Sequence, residues 1–181
     1  MTPRPFAVQR GFSLIEILIS LVITAFGLLG LAAFAAKSTQ LGVDATQRAR
    51  AAALLTDLSS RVANNKPNAA LYASAAVHGA AVQACAAGAT PAQVAARELC
   101  EWGNLLAGAN DAGSGANSAF LSYRGCVTQP NPFDPVFVVT VAWGSLTPGI
   151  PPADLCAQGA FGDDSLRRII RSQVRVATLA A

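Results

Sequence analysis

The sequence predicts an α+β protein in which one long N-terminal helix packs on a small antiparallel β-sheet. Three observations predict this class. Residues 12–36 are almost entirely apolar, which suits a membrane-length helix. Residues 37–64 carry apolar side chains at three- and four-residue spacing, the pattern of a helix with one covered face. Short aromatic and β-branched segments follow in the C-terminal third, and a helix followed by strands is an α+β arrangement.

The apolar segment from Phe12 to Ala36 is long enough to cross a bilayer. It has 25 residues, and a helix of that length rises about 37 Å. Its one charged residue is Glu16. A carboxylate inside lipid costs several kcal/mol unless it has a partner, so we expect a specific positive group near it. An amine at Phe12, created by cleavage after Gly11, would lie at the depth of Glu16.

The residues that begin this segment, GFSLIEILISLVI, resemble the class III signal of type IV prepilins and type II secretion pseudopilins. The resemblance implies cleavage after Gly11 and methylation of the new Phe12 amine, both by a membrane-embedded prepilin peptidase. It also implies that Glu16 is an assembly contact and that the chain has the type IV pilin fold. The run AFGLLGL at residues 25–31 resembles the PilV branch of minor pilins, with Trp143 as further support.

The resemblance also implies an organisation and a location for the chain. Residues 1–11 are the cleaved leader, and residues 12–36 are the transmembrane or filament-core half of the helix. Residues 37–181 form a periplasmic globular domain that includes the rest of the helix, to about residue 64. The expected location is the inner membrane, with one pass, and then the extracellular pilus or fimbrium. The expected partners are prepilin peptidase and other major and minor pilins.

The leading interpretation is therefore a minor pilin that helps to initiate, assemble or modify a type IV pilus, near its tip. A minor pseudopilin of type II secretion is an alternative that carries the same signal. A third is an exported binding module with an ordinary signal peptide, since Ala33, Phe34 and Ala35 fit the small-x-small rule for cleavage before Ala36. Against the third, the apolar run exceeds the usual length of about 7–15 residues and contains an acid.

The second half of the N-terminal helix is predicted to be amphipathic. Arg50, Asp57 and Arg61 fall opposite the apolar side, and Asp57 and Arg61 are spaced to form an i,i+4 ion pair. Arg48 interrupts the apolar side, and we expect it to extend outward along its own stem. Pro67 disfavours helical geometry at the residue before it, so the helix should end near Asn64. The side expected to be covered consists of Leu41, Ala45, Ala52, Leu55 and Val62.

Further elements follow after a segment, residues 68–88, whose pattern predicts no structure. Thr90, Pro91 and Gln93 predict a capped helix that runs to Leu106. Strands are predicted at residues 119–128 and 136–143, with a long loop over 144–165. In a last strand, Ile170, Val174 and Val176 share one face, and the other face carries Arg171, Gln173 and Arg175.

Four cysteines lie after the apolar segment, at positions 85, 100, 126 and 156. A periplasmic domain would hold them as disulfides. They form no C-x-x-C motif and have no metal-ligand spacing, so neither thiol exchange nor a metal site is predicted. Three pairings are possible. We favour Cys85–Cys100 and Cys126–Cys156, because each closes a segment without other obvious restraints.

The charge of the chain gives no reason to expect general binding to nucleic acid. The net charge of +3 falls to +1 without Arg4 and Arg10 of the leader. One basic cluster remains near the C-terminus, and contact with nucleic acid or with an acidic neighbouring subunit is one interpretation of it. We favour a solvated strand face that discourages edge pairing, because no aromatic side chains are interleaved with the cluster. Its members are Arg167, Arg168, Arg171 and Arg175.

The sequence predicts no enzyme and no cofactor. His78 is the single histidine and has no acid near it in sequence. No G-x-S-x-G sequence, phosphate-binding loop or paired-carboxylate motif is present. Asp163 and Asp164 are interpreted as a surface turn and not as a cation site.

Overall fold

The computed structural model describes residues 11–109 and 122–176, and the chain divides into two compact units, residues 1–42 and 43–181. The helices are α1 (Leu14–Asn64) and α2 (Pro91–Leu106). Short 3-10 helices span Lys66–Tyr72 and Asp164–Leu166. The strands are β1 (Ser74–His78), β2 (Tyr123–Thr128), β3 (Val136–Gly144) and β4 (Arg167–Arg175).

The first unit contains the apolar part of α1. The helix begins at Leu14, where the carbonyl of Ser13 accepts from the amides of Glu16 and Ile17 at 3.0 and 3.3 Å. Every residue from Gly11 to Thr39 is exposed within the chain. By length and composition this part of α1 is apolar enough to cross a membrane. A surface of this kind in water is unfavourable, so it needs lipid or other helices around it.

In the second unit, the covered side of α1 differs from the predicted one. Leu55 and Val62 are buried as expected and Ala52 is half-buried, but Ala45 is exposed, as is Leu41 in the first unit. The buried side of α1 is rotated about the helix axis from the predicted one, because two buried rings donate to carbonyls of α1. Trp102 Nε1 donates to the Leu54 carbonyl at 2.9 Å, and Tyr123 Oη donates to the Gln47 carbonyl at 3.2 Å. The residues of α1 that are buried are Gln47, Ala51, Leu54, Leu55, Leu58 and Val62.

The other predictions for α1 agree with the structure. Arg48 is exposed, and the helix ends at Asn64. Arg61 pairs with Asp57 at 3.2 Å and also reaches Glu101 of α2 at 3.0 Å. The opposite side of α1 therefore also contacts a second helix through an ion pair.

The segment without a predicted structure forms the 3-10 helix Lys66–Tyr72 and the edge strand β1. Tyr72 is fully buried, and its hydroxyl accepts from Asn65 Nδ2 at 3.0 Å and donates to Glu98 of α2. α2 begins with the predicted capping box, in which Thr90 Oγ1 accepts from the Gln93 amide and Gln93 Oε1 accepts from the Thr90 amide. It ends at Leu106, as predicted.

The four strands form one antiparallel sheet in the order β1-β2-β3-β4. β2 begins at Tyr123; the predicted residues 119–121 lie outside the described part of the chain. β3 extends one residue past its predicted end, to Gly144. In β4, Val174 and the following Val176 are buried and Ile170 is half-buried, while Arg171, Gln173 and Arg175 are exposed. The structure confirms the predicted α+β class: a long helix packed on a small antiparallel sheet.

The two faces of the sheet are covered differently. One face packs against α1 and α2 through buried residues that include Trp102, Val139, Val141 and Val174. Trp102 lies so close to Gly125 that a Cβ at that glycine would be 2.1 Å from the indole ring. On the other face, a smaller apolar cluster joins the strands to the β3–β4 loop, residues 145–166. It contains Cys126, Ala142, Cys156, Ala157, Phe161 and Ile169.

Candidate functional site

The residues predicted to be processed lie in open backbone at the start of α1. Gly11 and Phe12 precede the helix, and the Phe12 side chain is 79% exposed. A Cβ built on Gly11 would have nothing within 4 Å, so the fold itself leaves space for a side chain there. Glu16 lies in the first turn of the helix, where a carboxylate is favoured by the helix dipole. A peptidase and a partner subunit both have free access to these residues in the chain as described.

The apolar part of α1 carries hydroxyl groups at four-residue spacing after Glu16. Ser20 Oγ donates to the carbonyl of Glu16, and Thr24 Oγ1 donates to that of Ser20, each at 2.7 Å. Both hydroxyls are therefore satisfied within the helix, as burial in lipid requires. Sequence reasoning passed over these two residues because neither is charged. The carboxylate of Glu16 is thus the group in residues 12–36 that most needs a partner.

Both predicted disulfides are present in the second unit, with the favoured pairing. Cys85–Cys100 ties the segment before α2 to α2 itself, with Cα atoms 5.6 Å apart. Cys126–Cys156 ties β2 to the β3–β4 loop, with Cα atoms 5.9 Å apart. Cys126 and Cys156 are buried, whereas Cys85 and Cys100 are half-buried.

The segment of residues 79–89 is also held by a side chain that the sequence gave no reason to select. Asn104 Oδ1 accepts from the Gln83 amide, and Asn104 Nδ2 donates to the Gln83 carbonyl, both at 2.8 Å. The amide group of Asn104 thus pairs with the backbone as a neighbouring strand would. Arg124 Nη1 donates to the Gly79 carbonyl at 2.6 Å at the start of the same segment. A length of chain without regular structure is therefore fixed to α2 by Cys100 and Asn104 and to β2 by Arg124.

Arg167 is the organising residue of the β3–β4 loop. Its side chain is 1% exposed, and Nε and Nη2 donate to the two oxygens of Asp164 at 2.6 and 2.9 Å. The remaining donors reach the carbonyls of Pro152, Asp154 and Cys156. The hydrogen bond from Arg167 lowers the pKa of the Asp164 carboxyl. A buried guanidinium with its donors satisfied in this way holds the loop against the sheet.

The basic cluster of β4 is consequently divided into two pairs. Arg168 donates to the carbonyls of Thr147 and Ser165 at 2.6 and 2.9 Å, so it too is used within the loop. Arg171 and Arg175 are exposed. Residues 163 and 164 are predicted as a surface turn. In the structure Asp163 caps a 3-10 helix, and Asp164 pairs with Arg167. Sequence spacing could not separate the two pairs, because the loop that uses the first pair has no regular pattern from which its path back to Arg167 and Arg168 could be read.

His78 lies at the end of β1 with its ring 6.0 Å from that of Trp102. Its Nε2 is buried and has no hydrogen-bond partner among the described residues. Burial lowers the pKa of the imidazole, because the charged form loses solvation. The contact with Trp102 gives the ring a packing role.

Comparison with known proteins supplies one match. Residues 7–32 match the family model described as the prokaryotic N-terminal methylation motif. No curated protein and no solved structure matched the chain. The matched residues include Gly11, Phe12 and Glu16 and most of the apolar part of α1. The motif, with the long helix and the small antiparallel sheet behind it, supports a type IV pilin-like or pseudopilin-like structural subunit that is anchored in a membrane.

Proposed function

We propose that the chain is a minor pilin of a type IV pilus that initiates or modifies the filament near its tip. The observation that supports this most is Glu16: a carboxylate in the first turn of an exposed apolar helix, at a fixed distance after Gly11 and Phe12. A plain anchor has no use for a charge there. The residues 25–31, which resemble the PilV branch, favour a minor pilin of a pilus over a pseudopilin.

In this proposal prepilin peptidase removes residues 1–11 and methylates the Phe12 amine. Residues 12–36 hold the subunit in the inner membrane, with residues 37–181 in the periplasm. The amine of one subunit then pairs with Glu16 of a neighbour, and a charge-assisted contact offsets the cost of the buried carboxylate. The apolar surface of α1 leaves the lipid and packs among the helices of other pilins. The part that the chain plays is structural, and the chemistry is done by the peptidase.

Intact-mass analysis of the protein extracted from membranes tests the processing step. The expected mass is that of a chain from an N-methylated Phe12 to Ala181 with both disulfides closed. A chain that begins at Ala36 would identify an exported module with an ordinary signal peptide and overturn the proposal. A chain that begins at Met1 in cells with active prepilin peptidase would do the same.

A second measurement separates the pilus from a secretion system. Surface filaments are sheared from cells and probed for the protein, with a strain that lacks the major pilin as the control. A minor pilin is expected in the sheared fraction of the first strain and not of the second. Retention in the cell envelope of both, together with a loss of protein secretion on deletion, would instead assign the chain to type II secretion.

A further inference from the structure

Among the residues that the structure describes, strand β4 forms one edge of the sheet over its full length. Its nine residues pair with β3 in a regular antiparallel register from Val136–Arg175 to Gly144–Arg167. It contains no proline, and no bulge interrupts the pairing. The opposite edge, β1, has five residues and an irregular register with β2. A long regular edge is the form that most readily accepts another strand, so the two edges differ in their capacity to pair.

The register fixes which backbone groups of β4 point away from the sheet. The Val176 amide donates to the Pro135 carbonyl at 2.9 Å, and the Ser145 amide donates to the Leu166 carbonyl at 2.8 Å. Because hydrogen-bonded pairs alternate along an antiparallel ladder, the even-numbered residues of β4 bond to β3. The odd-numbered ones direct N–H and C=O outward. Four of these have no backbone hydrogen-bond partner in residues 11–109 and 122–176: Ile169, Arg171, Gln173 and Arg175.

The side chains along this edge give it a chemical preference. Arg171 is exposed and makes no ion pair with any residue that the structure describes. Arg175 is 74% exposed, and its ion pair among the described residues is a long one to Asp134, at 3.8 Å. Both lie on the face of the sheet away from the helices, with Gln173 between them. The half-buried Ile170 lies on the other face. A strand added here would place alternate side chains beside the two arginines and the others near Ile170.

We propose that the β4 edge binds an extended segment of another protein that carries acidic side chains at every second position. The outward N–H and C=O groups would supply the hydrogen bonds, as in other cases of strand addition. Arg171 and Arg175 would select the acidic segment by charge. The inference does not depend on how the N-terminus of the chain is processed.

Two other occupants fit the edge less well. A second copy of β4, paired about Arg171 or about Gln173, would set arginine opposite arginine, which is unfavourable. Of the four arginines of β4, two are left to contact nucleic acid, Arg171 and Arg175, because Arg167 and Arg168 bond within the loop. β4 also offers no aromatic ring on which a base would stack.

The binding test uses the full chain in detergent micelles and two fluorescent eight-residue peptides. One peptide alternates valine and glutamate, and the matched control alternates valine and lysine. Fluorescence polarisation is expected to show binding of the glutamate peptide, at least about tenfold tighter than the lysine peptide, with the difference reduced by salt. Equal affinities, or no binding of the glutamate peptide at millimolar concentration, would overturn the proposal.

A proline substitution separates strand pairing from simple charge attraction. The amide of Gln173 points outward, so Gln173→Pro removes a donor from the edge and leaves the β3–β4 hydrogen bonds in place. This substitution is expected to lower the affinity for the glutamate peptide by about tenfold. The control Gln173→Ala should leave that affinity unchanged. Equal binding by the two variants would show that the backbone edge is not used.

Amide hydrogen exchange in the unsubstituted chain keeps the test independent of how well the proline variant folds. In the free protein the odd-numbered amides of β4 should exchange faster than the even-numbered ones. Addition of the glutamate peptide should protect the odd-numbered amides. The charge-reversed variant Arg171→Glu with Arg175→Glu should prefer the lysine peptide. The proposal would be contradicted if the peptide did not protect the odd-numbered amides, or if the charge-reversed variant kept its preference for the glutamate peptide. Competition by a single-stranded oligonucleotide would point to nucleic acid as the occupant, and self-association through β4 would point to a second copy of the chain.

Discussion

At the scale of single residues, Gly11 and Arg167 show how differently two positions can be constrained. Nothing in the fold restricts Gly11, since a Cβ there would have open space around it. Any need for glycine would then be imposed from outside the fold, as the proposed cleavage by a peptidase would do. Arg167 has the opposite character, because its five donor contacts lie entirely inside the molecule.

For Gly11, we expect Gly11→Val to accumulate as the full-length precursor while the chain still folds. The branched side chain would obstruct a peptidase that must approach the peptide bond closely. Gly11→Ala is the matched control and should be processed in large part. Immunoblots and intact-mass spectra of membranes distinguish the two lengths. Normal processing of the valine variant would count against cleavage at this bond.

For Arg167, replacement by methionine keeps an unbranched apolar stem but removes the guanidinium, and with it the charge and the donors. Asp164 and the loop carbonyls would lose their partner, and the free energy of unfolding should fall by about 3 kcal/mol. The exposed Arg171→Met is the control, with an expected change within about 0.5 kcal/mol. Urea unfolding followed by tryptophan fluorescence in micelles measures both. Two variants of equal stability would show that the buried contacts contribute little.

For His78, the pKa gives a pH dependence with a definite sign. The folded chain holds the imidazole at a lower pKa than the unfolded chain, because burial disfavours its charge. The stability from this effect is fully present above the ordinary histidine pKa of about 6.5 and is lost as the pH falls from there through the lowered pKa of the folded chain. Since the chain has one histidine, His78→Phe should flatten this dependence. Thermal unfolding at several pH values tests the prediction, and a slope that survives the substitution would refute it.

At the scale of elements, the two disulfides differ in their protection. Cys85–Cys100 is half-buried and joins a segment without regular structure, whereas Cys126–Cys156 is buried beneath the β3–β4 loop. A limiting amount of reductant should therefore open Cys85–Cys100 first, with a loss of about 3 kcal/mol in the chain-entropy description. Alkylation and peptide mapping give the order of opening. Equal rates for both bridges would contradict the assigned difference in burial.

The elements also show which features sequence patterns can predict. Local signals placed α2 well, because its cap and its last turn depend on neighbouring residues. The sequence does not predict β1, because this strand has five residues, is rich in alanine and is largely exposed. It therefore shows no alternation of apolar and polar side chains. The covered side of α1 was rotated because its orientation depends on Trp102 and Tyr123, which are remote in sequence. The spacing of apolar residues along the helix cannot predict contacts of this kind.

At the scale of the whole molecule, the proposed function assigns Glu16 the contact that joins a single subunit to a filament. Its predicted partner is the Phe12 amine of a neighbour, and only one axial offset brings those two charges together. Glu16→Gln keeps the size and polarity of the side chain but removes the charge. Cleavage after Gly11 should persist, since the peptidase acts several residues earlier. Mature protein should then remain in the inner membrane and be depleted from sheared filaments.

Ser20→Ala provides the control for the Glu16 experiment. Its hydroxyl is already satisfied by the carbonyl of Glu16, so its loss should leave incorporation near normal. Quantitative immunoblots of sheared and membrane fractions compare the variants. Incorporation of Glu16→Gln at the level of the unsubstituted protein would show that Glu16 is not the assembly contact.

The order of the strands has a consequence for how the second unit is made. Because the spatial order β1-β2-β3-β4 is also the order along the chain, each strand can join its predecessor without waiting for a later one. No strand has to be inserted between two that are already paired. The sheet can thus grow in one direction, and β4 is the last of the described strands to be added. The end at which this growth stops, within the described part of the chain, is the same edge that we propose accepts a strand from another protein.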